Sequence, residues 1–399
     1  MISVEKALDL IREHVKLLDV ETVDLDAAYG LVLAEDVVAD RDLPPFDRVM
    51  MDGVALSYES FQGGCRKFEI QNTQSAGDQG LVLSQADHCI EVMTGSVLPE
   101  GTDVVVPIEE YEKADSYVSL MEGIDLEPDQ FIHRQASDEQ KGAVLMSKNI
   151  ILGSKELAVA ASCGSFQLKV YRQPKVLIYT TGDEVVAVDE TPEPWQIRRS
   201  NDRVIKAFLE ANAVSGIDVL HLPDERAALS ASFKNARANY DLILSSGGVS
   251  KGQKDYVRDM LEELGAEIHF HGVKQKPGKP MLFATHEKAT ILALPGNPMS
   301  TLSCAHYYLP EVLKGMTLRD YTKMSVSLSS ELKLKAPLVN FIPASISYGD
   351  NGHVQAEPVL TQNSGDYTSV LSSDGFMVFD AGVSQFFEKG FVGEFIFWK

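Results

Sequence analysis

From about residue 174, short apolar runs alternate with longer amphipathic ones, and this alternation restricts the fold more than any other feature of the chain. Lys175 to Tyr179 (KVLIY) reads as a buried strand, followed by the turn Thr180-Thr181-Gly182-Asp183-Glu184. Asn201 to Ala213 has helical spacing, Ile217 to Leu222 is strand-like, and Asp224 is placed to cap the helix ERAALSASFKNARAN. Tyr240 to Leu244 is another continuous apolar strand, and Asp255 opens the helix YVRDMLEELG. A further strand precedes a loop dense in lysine, glycine and proline; the strand Ala289 to Leu294 and a helix from about Thr301 follow. Strands apolar along their whole length are buried on both faces, which calls for βαβ units and a parallel sheet. In such sheets ligands sit beyond the carboxyl ends of the strands.

The remaining segments differ in rhythm. Ser3 is positioned to cap a helix in which Ala7, Leu8, Ile11, Val15 and Leu18 recur at helical spacing. Residues 41–139 are rich in Gly, Pro and alternating apolar residues, as in Tyr117-Val118-Ser119-Leu120, and read as mostly β. Residues 142–170 return to a strand, a helix around Lys155 to Cys163 and another strand, while the last 75 or so are short strands and turns. The expected architecture is a multidomain α/β protein. Residues 1–40 plus 140–172 form an N-terminal linker domain, 41–139 a β-rich insertion domain, 173–322 the parallel-sheet α/β domain and 323–399 a small C-terminal β domain. A chain of 399 residues is too long for one ordinary core, which agrees with several units.

The formal net charge of −22 argues against nucleic-acid and anionic-membrane partners. No apolar run reaches the roughly 18 to 20 residues that span a bilayer, and the acidic N-terminus resembles neither a signal nor a transit peptide. A cytoplasmic enzyme is the expectation. Cys65, Cys89, Cys163 and Cys304 are scattered without a CxxC pair, so buried free thiols are expected rather than a disulfide framework or a metal–thiolate cluster.

Three loops follow strands of the expected sheet and so share one rim. They are Thr181-Gly182-Asp183-Glu184, Ser245-Ser246-Gly247-Gly248-Val249-Ser250, and Lys274-Gln275-Lys276-Pro277-Gly278-Lys279-Pro280. Adjacent glycines let backbone amides approach a phosphate, and serines add hydroxyl donors, although such turns are often merely structural. Lys276 and Lys279 flank Pro277-Gly278, a rigid turn able to aim both ammonium groups at one oxyanion; the alternative is a solvated lysine loop. Glu184, Asp224 and Asp255 each follow a strand end, where carboxylates can hold Mg²⁺ against phosphate oxygens; Asp224 and Asp255 read equally well as helix caps. Leu294-Pro295-Gly296-Asn297-Pro298-Met299-Ser300 joins a strand to a helix and presents backbone amides and the Ser300 hydroxyl, or is simply a tight turn. His269 and His271 alternate on a strand with no third ligand suitably spaced, so ordinary polar positions are expected of them.

Taken together, the chain resembles the molybdopterin molybdenumtransferase family over essentially its whole length. The matching pieces are Pro44-Pro45-Phe46-Asp47, Met51-Asp52-Gly53, Met93-Thr94-Gly95, Pro99-Glu100-Gly101, Asp138, Thr181-Gly182-Asp183-Glu184 and Ser200-Asn201. They continue as Ser246-Gly247-Gly248-Val249-Ser250, Lys276-Pro277-Gly278-Lys279-Pro280 and Leu294-Pro295-Gly296-Asn297-Pro298. The resemblance implies an elongated homodimer whose cleft joins the sheet domain of one subunit to the β insertion of the other. That arrangement would bring Asp52 and Thr94 to the rim loops. It further implies Mg²⁺-assisted insertion of molybdate into adenylylated molybdopterin, releasing molybdenum cofactor and AMP, and a contact with a molybdopterin adenylyltransferase. On this chain Lys276, Lys279 and Ser300 would hold molybdate, and Glu184, Asp224 and Asp255 would bind the metal or support scission. Ser246, Gly247, Gly248, Ser250 and Pro280 would cradle the pterin phosphate or nucleotide.

Some positions depart from the family pattern. The usual Asp-Ser-Asn is Arg199-Ser200-Asn201, a frequent Lys or Arg is Gly272, an arginine of the last domain is Pro343, and Asp47-Arg48-Val49-Met50-Met51 replaces the common Asn-Ser-Ala-Met form. These leave two competing readings: a molybdopterin adenylyltransferase, which would leave the N-terminal 170 residues and the last domain unexplained, and a catalytically impaired cofactor-binding paralogue.

Overall fold

The computed structural model describes residues 1–223, 225–248, 257–334, 337–349, 352–359, 367–380 and 382–398. Asp224, Ser250 and Asp255 therefore lie outside the described residues. The chain divides into two compact units: Met1–Glu35 with Lys148–Leu157 and Gln167–Lys399, and Asp36–Ser147 with Ala158–Phe166.

The larger unit contains the alternating pattern. Its elements are β1 (Val176–Thr181), α1 (Asn201–Ala211), β2 (Ile217–Leu222), α2 (Arg226–Asn239), β3 (Leu242–Ser246), α3 (Val257–Glu263), β4 (Glu267–His271), β5 (Leu282–His286), β6 (Ala289–Leu294) and α4 (Pro298–Thr317). The sheet order is β2-β1-β3-β6-β5-β4. Strands β2, β1, β3 and β6 run parallel, whereas β5 opposes both β6 and β4. The sheet is thus mixed rather than purely parallel as expected. The cause is local: β5 and β6 are joined only by Glu287-Lys288, too short for a crossover, so they form a hairpin with Glu287 at φ 52°.

Because β4 opposes β5, which opposes β6, β4 points the same way as the parallel four. Its carboxyl end, and the lysine loop after it, therefore fall on the same rim as the ends of β1, β3 and β6. Along the strands, alternate side chains enter different cores. Val176, Ile178, Leu242, Leu244, Leu292 and Leu294 pack in one cluster with α1, α4 and the N-terminal helix Val4–His14. Leu177, Tyr179, Ile243 and Ile291 pack in another with α2 and α3. Burial on both faces explains the unbroken apolar runs. Each fully buried Leu, Ile or Val contributes about 1.5–3 kcal/mol.

In the same unit, Met324–Leu328, Val339–Tyr348, Val354–Pro358, Gly375–Asp380 and Val392–Phe397 pair in a closed ring around Val326, Leu328, Met377, Phe379 and Phe395. Gln275–Lys276 adds to this barrel in parallel with Val339–Asn340, so the lysine loop is anchored on both the sheet and the barrel. In the smaller unit, six strands assemble in the order Val104–Pro107, Gly53–Leu56, His88–Val92, Lys67–Gln74, Tyr117–Leu120, Tyr111–Ala114, around Val54, Leu56, Phe68, Val104 and Val106. No helix among the described residues is long and apolar enough to cross a membrane.

Candidate active site

At the carboxyl edge of the sheet, the loops after β1, β3 and β6 enclose a cavity of about 480 Å³. Its wall includes Thr181 at the end of β1 with Gly182 and Glu184 after it, then Arg199 and Ser200 before α1 and Asn201 as its first residue. Ser246 at the end of β3 with Gly247 and Gly248 after it, Pro280 of the lysine loop, and Pro295, Gly296, Asn297, Pro298 and Ser300 at the β6–α4 junction also line it.

Asn201 fastens these loops together. Its side-chain amide donates to the Ser246 hydroxyl at 2.7 Å and to the Gly296 carbonyl at 2.8 Å. The Thr301 hydroxyl donates to the Pro295 carbonyl at 2.6 Å and lies 3.5 Å from the Ser246 hydroxyl. The Gly247 amide donates back to Leu294 at 3.2 Å. Glycine is required where the loops meet: Gly247 has φ +99°, and a Cβ on Gly296 would stand 3.3 Å from the Gly247 Cα.

Helix α4 begins at Pro298, three residues before the start expected from the sequence. Proline suits the first helical position, where no amide hydrogen is needed. Ser300 therefore lies in the first turn, 5% exposed, with its side chain in the cavity wall near the positive end of the helix.

The lysine loop is held from below. Gln275 is 1% exposed; its amide donates to the Gly278 carbonyl at 3.1 Å and faces Cys304 Sγ at 3.2 Å, while its oxygen accepts from the Tyr308 hydroxyl. Burial pushes the Cys304 thiol up to about 12, so it stays protonated and inert. Lys276 and Lys279 are exposed, and of this loop only Pro280 joins the cavity wall.

Asp52 and Thr94, distant in sequence, meet in the smaller unit. The Thr94 amide and hydroxyl both donate to Asp52 Oδ1, at 2.7 and 2.8 Å, and hold that carboxyl below its ordinary range. The hydrogen bond from the backbone amide is the larger influence. Glu184 is exposed on the cavity wall. Among the described residues no group of three His, Cys, Asp or Glu is arranged to hold a metal ion.

His269 is accounted for structurally: it stacks on His14 with ring centroids 3.7 Å apart and hydrogen-bonds Thr285 at 2.8 Å. The cysteines are free, but Cys65 is only half-buried, unlike the other three. Gly272 has φ +90°, a conformation that favours glycine, and a Cβ there would lie 2.9 Å from the Met1 side chain. Pro343 is a barrel residue opposite Phe376. Sequence reasoning did not place Arg199, Ser200 and Asn201 among the site residues. Their position at the start of a helix, where Ser200 precedes Asn201, was the available signal.

These features define a multidomain α/β protein with a cleft at the carboxyl edge of its sheet, where ligands bind in folds of this class. Residues 2–164 match the MoeA N-terminal region (domain I and II), 177–314 a probable molybdopterin binding domain, and 325–397 the MoeA C-terminal region (domain IV). The chain belongs to the molybdopterin molybdenumtransferase family. The molybdopterin molybdenumtransferase of a Synechocystis species is 36% identical over 379 residues, covering 94% of this chain and 95% of that one. The enzyme of the same name from Haemophilus influenzae is 30% identical over 365 residues, covering 90% and 89%. Two structures of a molybdopterin biosynthesis MoeA protein from Pyrococcus horikoshii each cover 100% of this chain and 99% and 100% of their own, with TM-scores of 0.79 and 0.81 at 26% and 24% identity.

Proposed function

We propose that this chain inserts molybdate into adenylylated molybdopterin and releases molybdenum cofactor and AMP. The observation that carries this reading is the cavity itself. Three family loops converge on it, locked by Asn201, with the start of α4 and the Gly247-Gly248 turn in its wall, where a helix N-terminus favours anionic groups. In this reading Ser246, Gly247, Gly248, Ser250 and Pro280 cradle the pterin phosphate or nucleotide, and Lys276, Lys279 and Ser300 hold molybdate. Asp52 and Thr94 belong to the same machinery, as a carboxylate kept ionised by its two donors. Magnesium is part of the proposal, with Glu184 as its described ligand and Asp224 and Asp255 as the other two. When bound, it neutralises phosphoanhydride oxygens.

The proposal extends to a cytoplasmic homodimer in which Asp52 and Thr94 of one copy serve the sheet-domain cavity of the other, and to receipt of substrate from a molybdopterin adenylyltransferase. Mixing Asp52→Ala with Lys279→Ala protein should restore part of the activity, because some hybrid dimers carry one intact site; no rescue despite demonstrated subunit exchange rejects sharing. The reaction itself is tested by single turnover with adenylylated molybdopterin, molybdate and Mg²⁺. AMP release with active cofactor is the expected result. ATP-dependent adenylylation, or binding without turnover, overturns it.

A further inference from the structure

We propose that Arg199 is a phosphate-binding residue of this cleft, taking an anionic oxygen of the adenylylated substrate through its guanidinium. The inference deepens the function proposed above and rests on it. Arg199 follows a short parallel strand pair, Val185–Val186 with Ile197–Arg198. This ladder is tied at both ends, by the Ile197 amide to the Glu184 carbonyl at 2.8 Å and by the Arg199 amide to the Val186 carbonyl at 3.0 Å. Ser200 and α1 follow at once, and Asn201 fixes that helix start to the loops after β3 and β6. The backbone of Arg199 is therefore held in register with the Gly247 turn and with Ser300, and its side chain forms part of the same wall.

The chemistry of the side chain points to an anion. The Arg199 Nε is enclosed by protein, yet it has no hydrogen-bond partner. A guanidinium remains charged at every physiological pH and presents its donors in a planar fork that matches phosphate oxygens. A buried, unpaired donor on such a group costs free energy, and because Arg199 is only partly buried on the cavity wall, its guanidinium can turn toward an oxyanion there. The neighbouring Arg198 differs, because it is exposed and its Nε already donates to the Glu190 carbonyl at 3.2 Å. Lys276 and Lys279 lie outside the cavity wall, so the described cations in that wall are Arg198 and Arg199. In a chain of net charge −22, a cation placed in the cleft is a local reversal of the overall field.

The test is equilibrium binding of AMP and of adenosine, each without Mg²⁺, to wild-type protein and to Arg199→Ala and Arg199→Lys, with thermal melts to verify folding. Arg199→Ala should weaken AMP about tenfold or more while leaving adenosine unchanged. Arg199→Lys should fall between, since it keeps the charge but not the fork. Equal AMP affinity in wild type and Arg199→Ala, or equal loss for AMP and adenosine, overturns the inference while leaving turnover as the test of the function. Wild-type protein that binds neither AMP nor adenosine also overturns the inference, while single turnover with Mg²⁺ remains the test of the function.

Discussion

The side-chain amide of Asn201 lies 2.7 Å from the Ser246 hydroxyl, joining the first residue of one helix to the last residue of a strand 45 positions away. The same amide reaches the Gly296 carbonyl, so one residue sets the spacing of three loops around the cavity. Asn201→Ala should remove both bonds and leave the 4%-exposed Ser246 short of a partner. The expected cost is about 1–3 kcal/mol in urea unfolding. Turnover should fall further than that loss of stability explains at temperatures where the variant is folded. A variant as active as wild type would make the bridge dispensable.

Gly278 sits against Cys304 with φ +89°, and a Cβ there would collide with the sulfur. Gly278→Ala should lose about 1–2 kcal/mol from backbone conformation alone, with a further ~1–3 kcal/mol from overpacking. Adding Cys304→Ala should relieve the part of the overpacking that the sulfur causes and leave the clash with the Gln275 amide, giving a coupling of about 0.5–3 kcal/mol in a double-mutant cycle. Strict additivity would show that the sulfur contact does not matter.

Asp241 is 4% exposed and receives both terminal nitrogens of Arg172, at 2.7 and 3.1 Å, together with the Lys175 amide at 2.9 Å. Burial alone would raise its pKa, but these partners outweigh burial and hold the carboxyl below the ordinary range. Its ionised form is therefore favoured by folding. That stabilisation is complete above the unfolded value of about 3.9 and is lost as pH falls through the lower folded value. Asp241→Asn should cost about 2–3 kcal/mol at pH 7, somewhat less than for a fully buried pair because Arg172 is 31% exposed. The gap in urea midpoint between the variant and wild type should shrink below about pH 3.9. A gap that stays constant into strong acid would mean that the carboxylate charge contributes nothing.

Replacing Lys276 or Lys279 with Ala should remove a charge-assisted contact worth roughly 1.5–3 kcal/mol. The molybdate concentration needed for half-maximal turnover should then rise about tenfold to a hundredfold. Normal molybdate dependence combined with weakened nucleotide binding would transfer these lysines to the nucleotide.

Period and chemistry, both local properties, made much of this protein legible in one dimension. The apolar run Ala289 to Leu294 forms a strand with those bounds, and every one of its residues is buried, because strand burial on both faces leaves a direct mark in the sequence. Ser3 caps the first helix by accepting from the Lys6 amide at 3.2 Å, as its residue type and position require. The loops after β1 and β3 share one rim because parallel strands share a direction. What no local pattern contains is the order of the strands, the reversal of β5, or the partners of a side chain. Those depend on contacts between residues tens to hundreds of positions apart, and only the tertiary structure decides them. It brings Asn201 to Ser246, sets Gln275 beneath the lysine loop, draws Asp52 onto Thr94 and leaves the Arg199 Nε enclosed without a hydrogen-bond partner.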